Sequence, residues 1–200
     1  MGGAALDAIS FLIGTIFNLY AMLLALRFIM QVFRADYYNP LAQFVVKVTD
    51  PVLKPVRRIV PSIKNYDTSS LLLAFLVLLI KLILLKALQT DYLFVAGKAP
   101  LADRLSYGTL FFVAFVDVVH LLFNVFIYAM IIQAILSWFP NPSTDSIRNL
   151  LSGITEPVLR PIRKYVPPVS GFDLSVLIGI LGLFFIRILV TGSLIAPFLR

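Results

Sequence analysis

The chain has 200 residues, 60% of them hydrophobic and 14% charged, with a mean hydropathy of +0.96; these values describe a membrane protein rather than one or two soluble domains. The absence of cysteine excludes disulfides, thiolate metal sites, thiol catalysis and covalent haem attachment, and a single histidine, His120, leaves little for a metal cluster. The net charge of +7 comes from cations that flank apolar segments instead of forming a detached basic domain, so anionic lipid is a nearer partner than nucleic acid.

A helix rising about 1.5 Å per residue needs roughly 20 apolar residues to cross hydrocarbon. The first such run covers 8–33, with nineteen uncharged residues before Arg27 and a polar break at Arg34-Ala35-Asp36. Met1 to Asp7 contain no Lys or Arg, so the run lacks the basic start of a signal peptide and reads as a retained span. Asn39-Pro40 then signals a helix start, a cap followed by proline at the first helical position. Leu41, Phe44, Val45 and Val48 follow at helical spacing, predicting a short amphipathic helix over 40–49. A proline-rich basic motif occupies 49–61, Asp67 precedes the next run as a candidate cap, and the second span covers 69–88. The third span covers 109–139 and closes on Pro140-Asn141-Pro142. Ser143 and Thr144 are candidate caps for a second amphipathic helix over 144–154, on Ile147, Leu150, Leu151 and Ile154. A second basic proline motif spans 155–167, Asp173 precedes the fourth span, and that span covers 174–198.

Adding 106 to the numbering lays Thr49-Asp50-Pro51-Val52-Leu53-Lys54-Pro55-Val56-Arg57-Arg58-Ile59-Val60-Pro61 on Thr155-Glu156-Pro157-Val158-Leu159-Arg160-Pro161-Ile162-Arg163-Lys164-Tyr165-Val166-Pro167, with eight of thirteen positions identical. The same shift pairs Asn18 with Asn124, Asp67 with Asp173, Ser69 with Ser175 and Lys81 with Arg187. The chain is an internal duplication, residues 8–88 and 109–198. Two spans per unit make the repeat parallel, which disfavours an inverted-repeat transporter. The fold expected is therefore all-α and membrane-spanning: four transmembrane helices as two parallel two-helix repeats, each with an amphipathic helix and a basic elbow. Ten of the seventeen Lys and Arg lie in the two long connections, which places those connections in the cytoplasm and both termini outside.

Three prolines in each eleven-residue stretch remove backbone donors and disfavour helix in the preceding residues, predicting a kinked, rigid elbow. On these elbows Lys54, Arg57, Arg58, Arg160, Arg163 and Lys164 are candidates for binding lipid phosphates or an acidic partner, against the plainer reading of topology anchors. The amphipathic helices either lie at the membrane surface or pack on the ends of the spans. At membrane depth, Lys81, Asp117 and Arg187 are charges that need partners, and similar depth pairs Asp117 with Arg187. Lys81 either snorkels or meets Asn18. Asp117, His120, Asn124 and Tyr128 draw a polar stripe, read either as an ion path or as hydrogen bonds between helices.

With its repeated Thr-acid-Pro-Val-Leu-base-Pro motif, Tyr38-Asn39-Pro40 and Tyr66-Asp67-Thr68-Ser69, the chain resembles the YggT (YlmG) family of small bacterial and plastid membrane proteins along nearly its whole length. The second unit departs in having Pro140-Asn141-Pro142-Ser143 where the first has Arg34-Ala35-Asp36-Tyr37. The resemblance implies association with osmotic or ion tolerance and proximity to cell-division genes in bacteria, and with haem attachment to cytochrome b6f and nucleoid distribution in plastids. It carries over no catalytic residues and no cofactor. The function expected is a non-enzymatic scaffold or assembly factor of the bacterial inner membrane. The alternative is a small channel or transporter subunit with a polar path along the third and fourth spans. No nucleophile and base constellation supports an enzyme. Because two spans bury little against each other, a homo-oligomer or a larger membrane complex is expected, with Gly179 and Gly182 as a close-packing surface on the fourth span, either between molecules or within the monomer.

Overall fold

Six helices form among the residues that the computed structural model describes, which are 2–35, 37–60, 67–88, 106–138, 141, 144–166 and 173–196. In order they are α1 (Gly2–Val32), α2 (Pro40–Ile59), α3 (Thr68–Ala87), α4 (Tyr107–Trp138), α5 (Asp145–Arg163) and α6 (Leu174–Ile195). Four of them, α1, α3, α4 and α6, are long and apolar enough to cross a membrane, and the chain is a multi-pass membrane protein. Half of the apolar window of α3 and of α4 is buried, against 22% for α1 and for α6. The middle pair is therefore the packed centre, and the outer helices turn Leu12, Leu19, Leu181 and Phe185 outward, as a lipid-facing surface requires.

Within each unit the two spans pack together, α1 on α3 and α4 on α6, and the units join where α4 meets α3 and α1. The surface helices α2 and α5 touch each other, which puts both long connections at one end of the bundle, as a parallel repeat demands. Asn39 caps α2, its Oδ1 accepting the Leu41 N–H at 2.9 Å, while its amide group donates to the Ser146 carbonyl of α5. Thr144 occupies the N-cap position of α5 without a side-chain cap bond, and its hydroxyl donates instead to the Asn141 carbonyl at 2.8 Å. Ser143, Pro61, Pro167, Tyr66, Phe172, Pro140 and Pro142 lie outside the described residues.

The expected elbow is not separate from the amphipathic helix. α2 runs on to Ile59 and α5 to Arg163, carrying Pro51, Pro55, Pro157 and Pro161 inside them. The reason is spacing: prolines four residues apart share one helix face, and all four are exposed, so the carbonyls they orphan face outward where water or headgroups can bond them. The opposite face is closed, with the apolar Ala42, Val45 and Leu53 of α2 and one polar residue, Thr49, all at 0% exposure.

Gly179 belongs inside the monomer. A Cβ placed there would meet Leu159 Cδ2 at 3.1 Å, Met130 Sδ at 3.4 Å and Ile162 Cδ1 at 3.5 Å, so α6 approaches α4 and α5 closely at this point. Gly182 has nothing within 4 Å. Gly179→Leu is expected to lower unfolding stability in detergent by about 1–3 kcal/mol through overpacking, while Gly182→Leu leaves the monomer's midpoint unchanged. Equal effects of the two variants would contradict this packing.

Candidate functional site

Two polar assemblies stand out in an otherwise apolar molecule, one at the surface-helix end and one at membrane depth. The first is duplicated. In the second unit Arg163, in the last turn of α5, reaches back over ten residues to Asp173 before α6, with Nε and Nη2 both on Oδ2 at 3.0 and 2.9 Å, and Nη1 on Glu156 Oε2 at 2.6 Å. Asp173 Oδ1 in turn accepts the Ser175 N–H at 3.0 Å and so caps α6, and the Ser175 hydroxyl donates to the Val166 carbonyl at 2.8 Å. The first unit repeats the pattern with Arg57 paired to Asp67 and the Ser69 hydroxyl donating to the Val60 carbonyl at 2.6 Å. Asp67 makes no side-chain cap bond to the backbone; the Ser70 hydroxyl donates to its Oδ2 at 2.6 Å instead.

The first unit adds Arg27. Buried at 5% exposure in α1, it donates through Nη1 to Thr49 Oγ1 at 2.6 Å, lies 2.7 Å from Asp50 Oδ1, and brings Nε within 3.8 Å of Asp67 Oδ2. The equivalent position in the second unit holds Gln133, whose Oε1 lies 2.6 Å from the Thr155 hydroxyl. Each motif threonine thus ties the surface helix to the first span of its own unit. Burial alone would raise the carboxyls of Asp50, Asp67 and Asp173, but the bonds from Arg27 and Lys54, from Arg57 and Ser70, and from Arg163 and Ser175 outweigh it and hold all three below the usual range. Burial would likewise lower the Arg163 guanidinium, which Asp173 and Glu156 instead hold above its usual value.

Of the cations read from the motifs, Arg57 and Arg163 are therefore engaged within the chain. Lys54 lies 3.4 Å from Asp50 with its side chain 71% exposed, and Arg58, Arg160 and Lys164 are exposed with no ion pair among the described residues. Arg27, Thr49, Thr155 and Gln133 were missed as a group; the signal for them was a charge near the end of the first span, matched by a polar residue 106 positions on.

At membrane depth Lys81, 3% exposed, donates to Asp117 Oδ2 at 2.7 Å and to Asn18 Oδ1 at 3.0 Å. Arg187 donates to Asn124 and stacks on the Phe184 ring. The expected pair of Asp117 with Arg187 is therefore not formed. Each second-span cation is held by the asparagine of its own unit's first span, and Asp117 lies seven residues, about 10 Å, along α4 from Asn124, so Lys81 on the neighbouring α3 takes the carboxylate. A cavity of about 410 Å³ brings Asn18, Lys81, Asp117, His120, Asn124 and Tyr128 together; Arg187 does not line it. His120 Nδ1 is buried there without a hydrogen-bond partner. Among the described residues, no three His, Cys, Asp or Glu side chains come together as a metal site.

The model of the CCB3/YggT family matches this chain twice, over residues 6–88 and 112–194. The protein named for the proC 3′ region in Vibrio alginolyticus is 36% identical over 192 residues, covering 96% of this chain and 97% of that protein. The YggT protein of Escherichia coli K12 is 34% identical over 200 residues, again covering 96% and 97%. The chloroplastic YlmG homolog protein 2 of Arabidopsis thaliana is 33% identical over 60 residues, 30% of this chain and 24% of that protein. No solved structure matches.

Replacing Arg27 by Met leaves Asp67 with Arg57 and Asp50 with Lys54 but removes the buried charge between them, and is expected to lower unfolding stability in detergent by about 2–3 kcal/mol, whereas Gln133→Met removes only a neutral bond, about 1 kcal/mol. Lys81→Met leaves Asp117 without its cation; the double variant Lys81→Met/Asp117→Leu is expected to recover most of the loss, because removing a whole buried pair is close to neutral. Failure of the double variant to recover would show that the pair contributes more than mutual neutralisation. The depressed carboxyls set the pH response: their contribution is complete above pH about 4 and is lost as pH falls through the lower folded values. Acidification should loosen the surface helices, read as faster amide exchange in α2 and α5, and raising the pH from 7 to 9 should not do so through these groups.

Proposed function

The chain belongs to the CCB3/YggT family, and on that premise we propose that it is a non-enzymatic scaffold or assembly factor of the bacterial inner membrane, acting through its two surface helices on anionic headgroups or on partner membrane proteins. The observation that carries this reading is the three-sided form of α2. One side is sealed against the spans by Ala42, Val45 and Leu53, a second turns Phe44 and Val52 outward at 54% and 45% exposure, and a third carries Lys47, Lys54 and Arg58. A helix with one face sealed on protein, one exposed apolar face and one basic face is built for the membrane interface. α5 adds Arg160 and Lys164 at the same end of the bundle. In this reading the positive-inside bias sets that end in the cytoplasm and both termini outside.

Arg57 and Arg163 support the reading indirectly, by clamping the helices that present the exposed cations. Joint replacement of Arg58, Arg160 and Lys164 by Glu is expected to remove the anionic phospholipid retained on mild-detergent extraction, the co-purifying membrane proteins, or both, with insertion and unfolding midpoint unchanged. Lipid loss with partners retained assigns the cations to headgroups, and the reverse assigns them to protein; retention of both sinks the proposal.

A second reading, a channel or transporter subunit, has the 410 Å³ cavity in its favour, with Asp117, His120, Asn124 and Tyr128 along one side. Against it stands Lys81, which already neutralises Asp117. Ion flux in purified liposomes that disappears with Asp117→Asn would favour this reading, and flux no higher than in empty vesicles would remove it.

A further inference from the structure

The two units share a sequence pattern but not their surroundings, and the difference has a direction. The second unit lays α4 on α3 of the first, burying Leu82 of α3 to 0% exposure; the residue 106 positions on, Ile188 of α6, is 60% exposed. Phe75 and Leu79 pack into the same contact, and their counterparts Leu181 and Phe185 are 59% and 64% exposed. On the other side of that contact, Ala114 of α4 is 0% exposed and Asp117 is 6% exposed, whereas their counterparts on α1, Ala8 and Phe11, are exposed, Phe11 at 69%. A separate element repeats the mismatch. Leu150 of α5 is 3% exposed in a cluster shared with Ala42 and Met30 of the first unit, and its counterpart Phe44 of α2 is 54% exposed.

The first unit thus offers, on α1 and α2, the surface that the second unit buries. The second unit offers, on α6, the surface that the first unit buries. The charges agree with this. Arg187 is the counterpart of Lys81, but where Lys81 has Asp117, Arg187 meets no carboxylate among the described residues and its Nε is buried without a partner. The free α1 surface carries an exposed acid, Asp7, one helical turn from Phe11.

We propose that copies of this chain associate head to tail in the membrane, α1 and α2 of one copy docking on α6 and α5 of the next and repeating between chains the contact that α4 and α5 make with the first unit within the chain, with Asp7 facing Arg187. The contact is heterologous, so it builds a ring where the rotation closes and a row where it does not. The occupant of both surfaces is a second copy because the docking interface already exists inside one chain, between two units of one sequence pattern.

The chain has no cysteine of its own, which makes the test direct. Ala8→Cys and Ile188→Cys replace the counterparts of Ala114 and Leu82, which share one apolar cluster. Oxidation of the double variant in native membranes with copper phenanthroline is expected to give a ladder of dimers and larger species. Each single variant alone should stay monomeric, and the two single variants expressed together should give dimers and nothing larger. Adding Asp7→Arg to the double variant should reduce the ladder, and adding Arg187→Asp to that should restore it. A double variant that stays monomeric while both thiols react with a membrane-permeant maleimide overturns the proposal, leaving both faces to lipid. Dimers from either single variant overturn it in favour of a two-fold contact.

Discussion

An arginine at the end of a surface helix and an aspartate ten residues later, at the mouth of the next span, hold this architecture together. The pair of Arg163 with Asp173, like that of Arg57 with Asp67, ties the last turn of each surface helix to the start of its unit's second span. The motif threonine binds the same helix to the first span, the exposed prolines keep the outward carbonyls free for polar partners, and the remaining cations are left pointing away from the spans.

Charge inside hydrocarbon supplies the second constraint, and it is solved differently in the two units. An isolated ion at the bilayer centre costs at least about 2.5 kcal/mol on insertion scales. Lys81 meets this with a carboxylate from the other unit, so the pair works as a cross-unit latch and neutralises both members. Arg187 has only an asparagine and a ring face, which solvate a guanidinium without cancelling its charge. Of the described ionisable groups in the spans near this level, two cations are set against one anion, an imbalance that a neighbouring molecule would have to correct.

Much of this was legible in the sequence because membrane crossing imposes long apolar runs and duplication imposes a constant offset. The four spans, the parallel repeat and the meeting of Lys81 with Asn18 come from those two signals. Proline was the misleading one. Read singly, Pro51 and Pro55 end a helix; read as an i, i+4 pair on a face with no protein above it, they cost only carbonyls that already face polar surroundings. Depth counting also failed for Asp117, because equal distance from a membrane face says nothing about which helix stands alongside. The Arg57 and Arg163 clamps were hidden for a related reason: aspartate before a span reads as a cap, and only the fold brings an arginine ten residues upstream beside it.

Duplication accounts for why one chain carries both a satisfied and an unsatisfied version of the same surface. Two identical subunits related by a two-fold axis would bury equivalent residues equally. Here Leu82 and Ile188, or Leu150 and Phe44, differ from fully buried to half exposed, so the operator that carries the first unit onto the second does not carry the second back onto the first. A fused pair with such an operator keeps one donor face and one acceptor face at its ends. The ends differ from the interior in residue and in register: Phe11 stands on the free α1 face where α4 has Asp117, Arg187 carries the charge of its counterpart Lys81, and the opposite sign lies one turn away at Asp7, so the ends are not copies of the internal joint but still carry opposite signs.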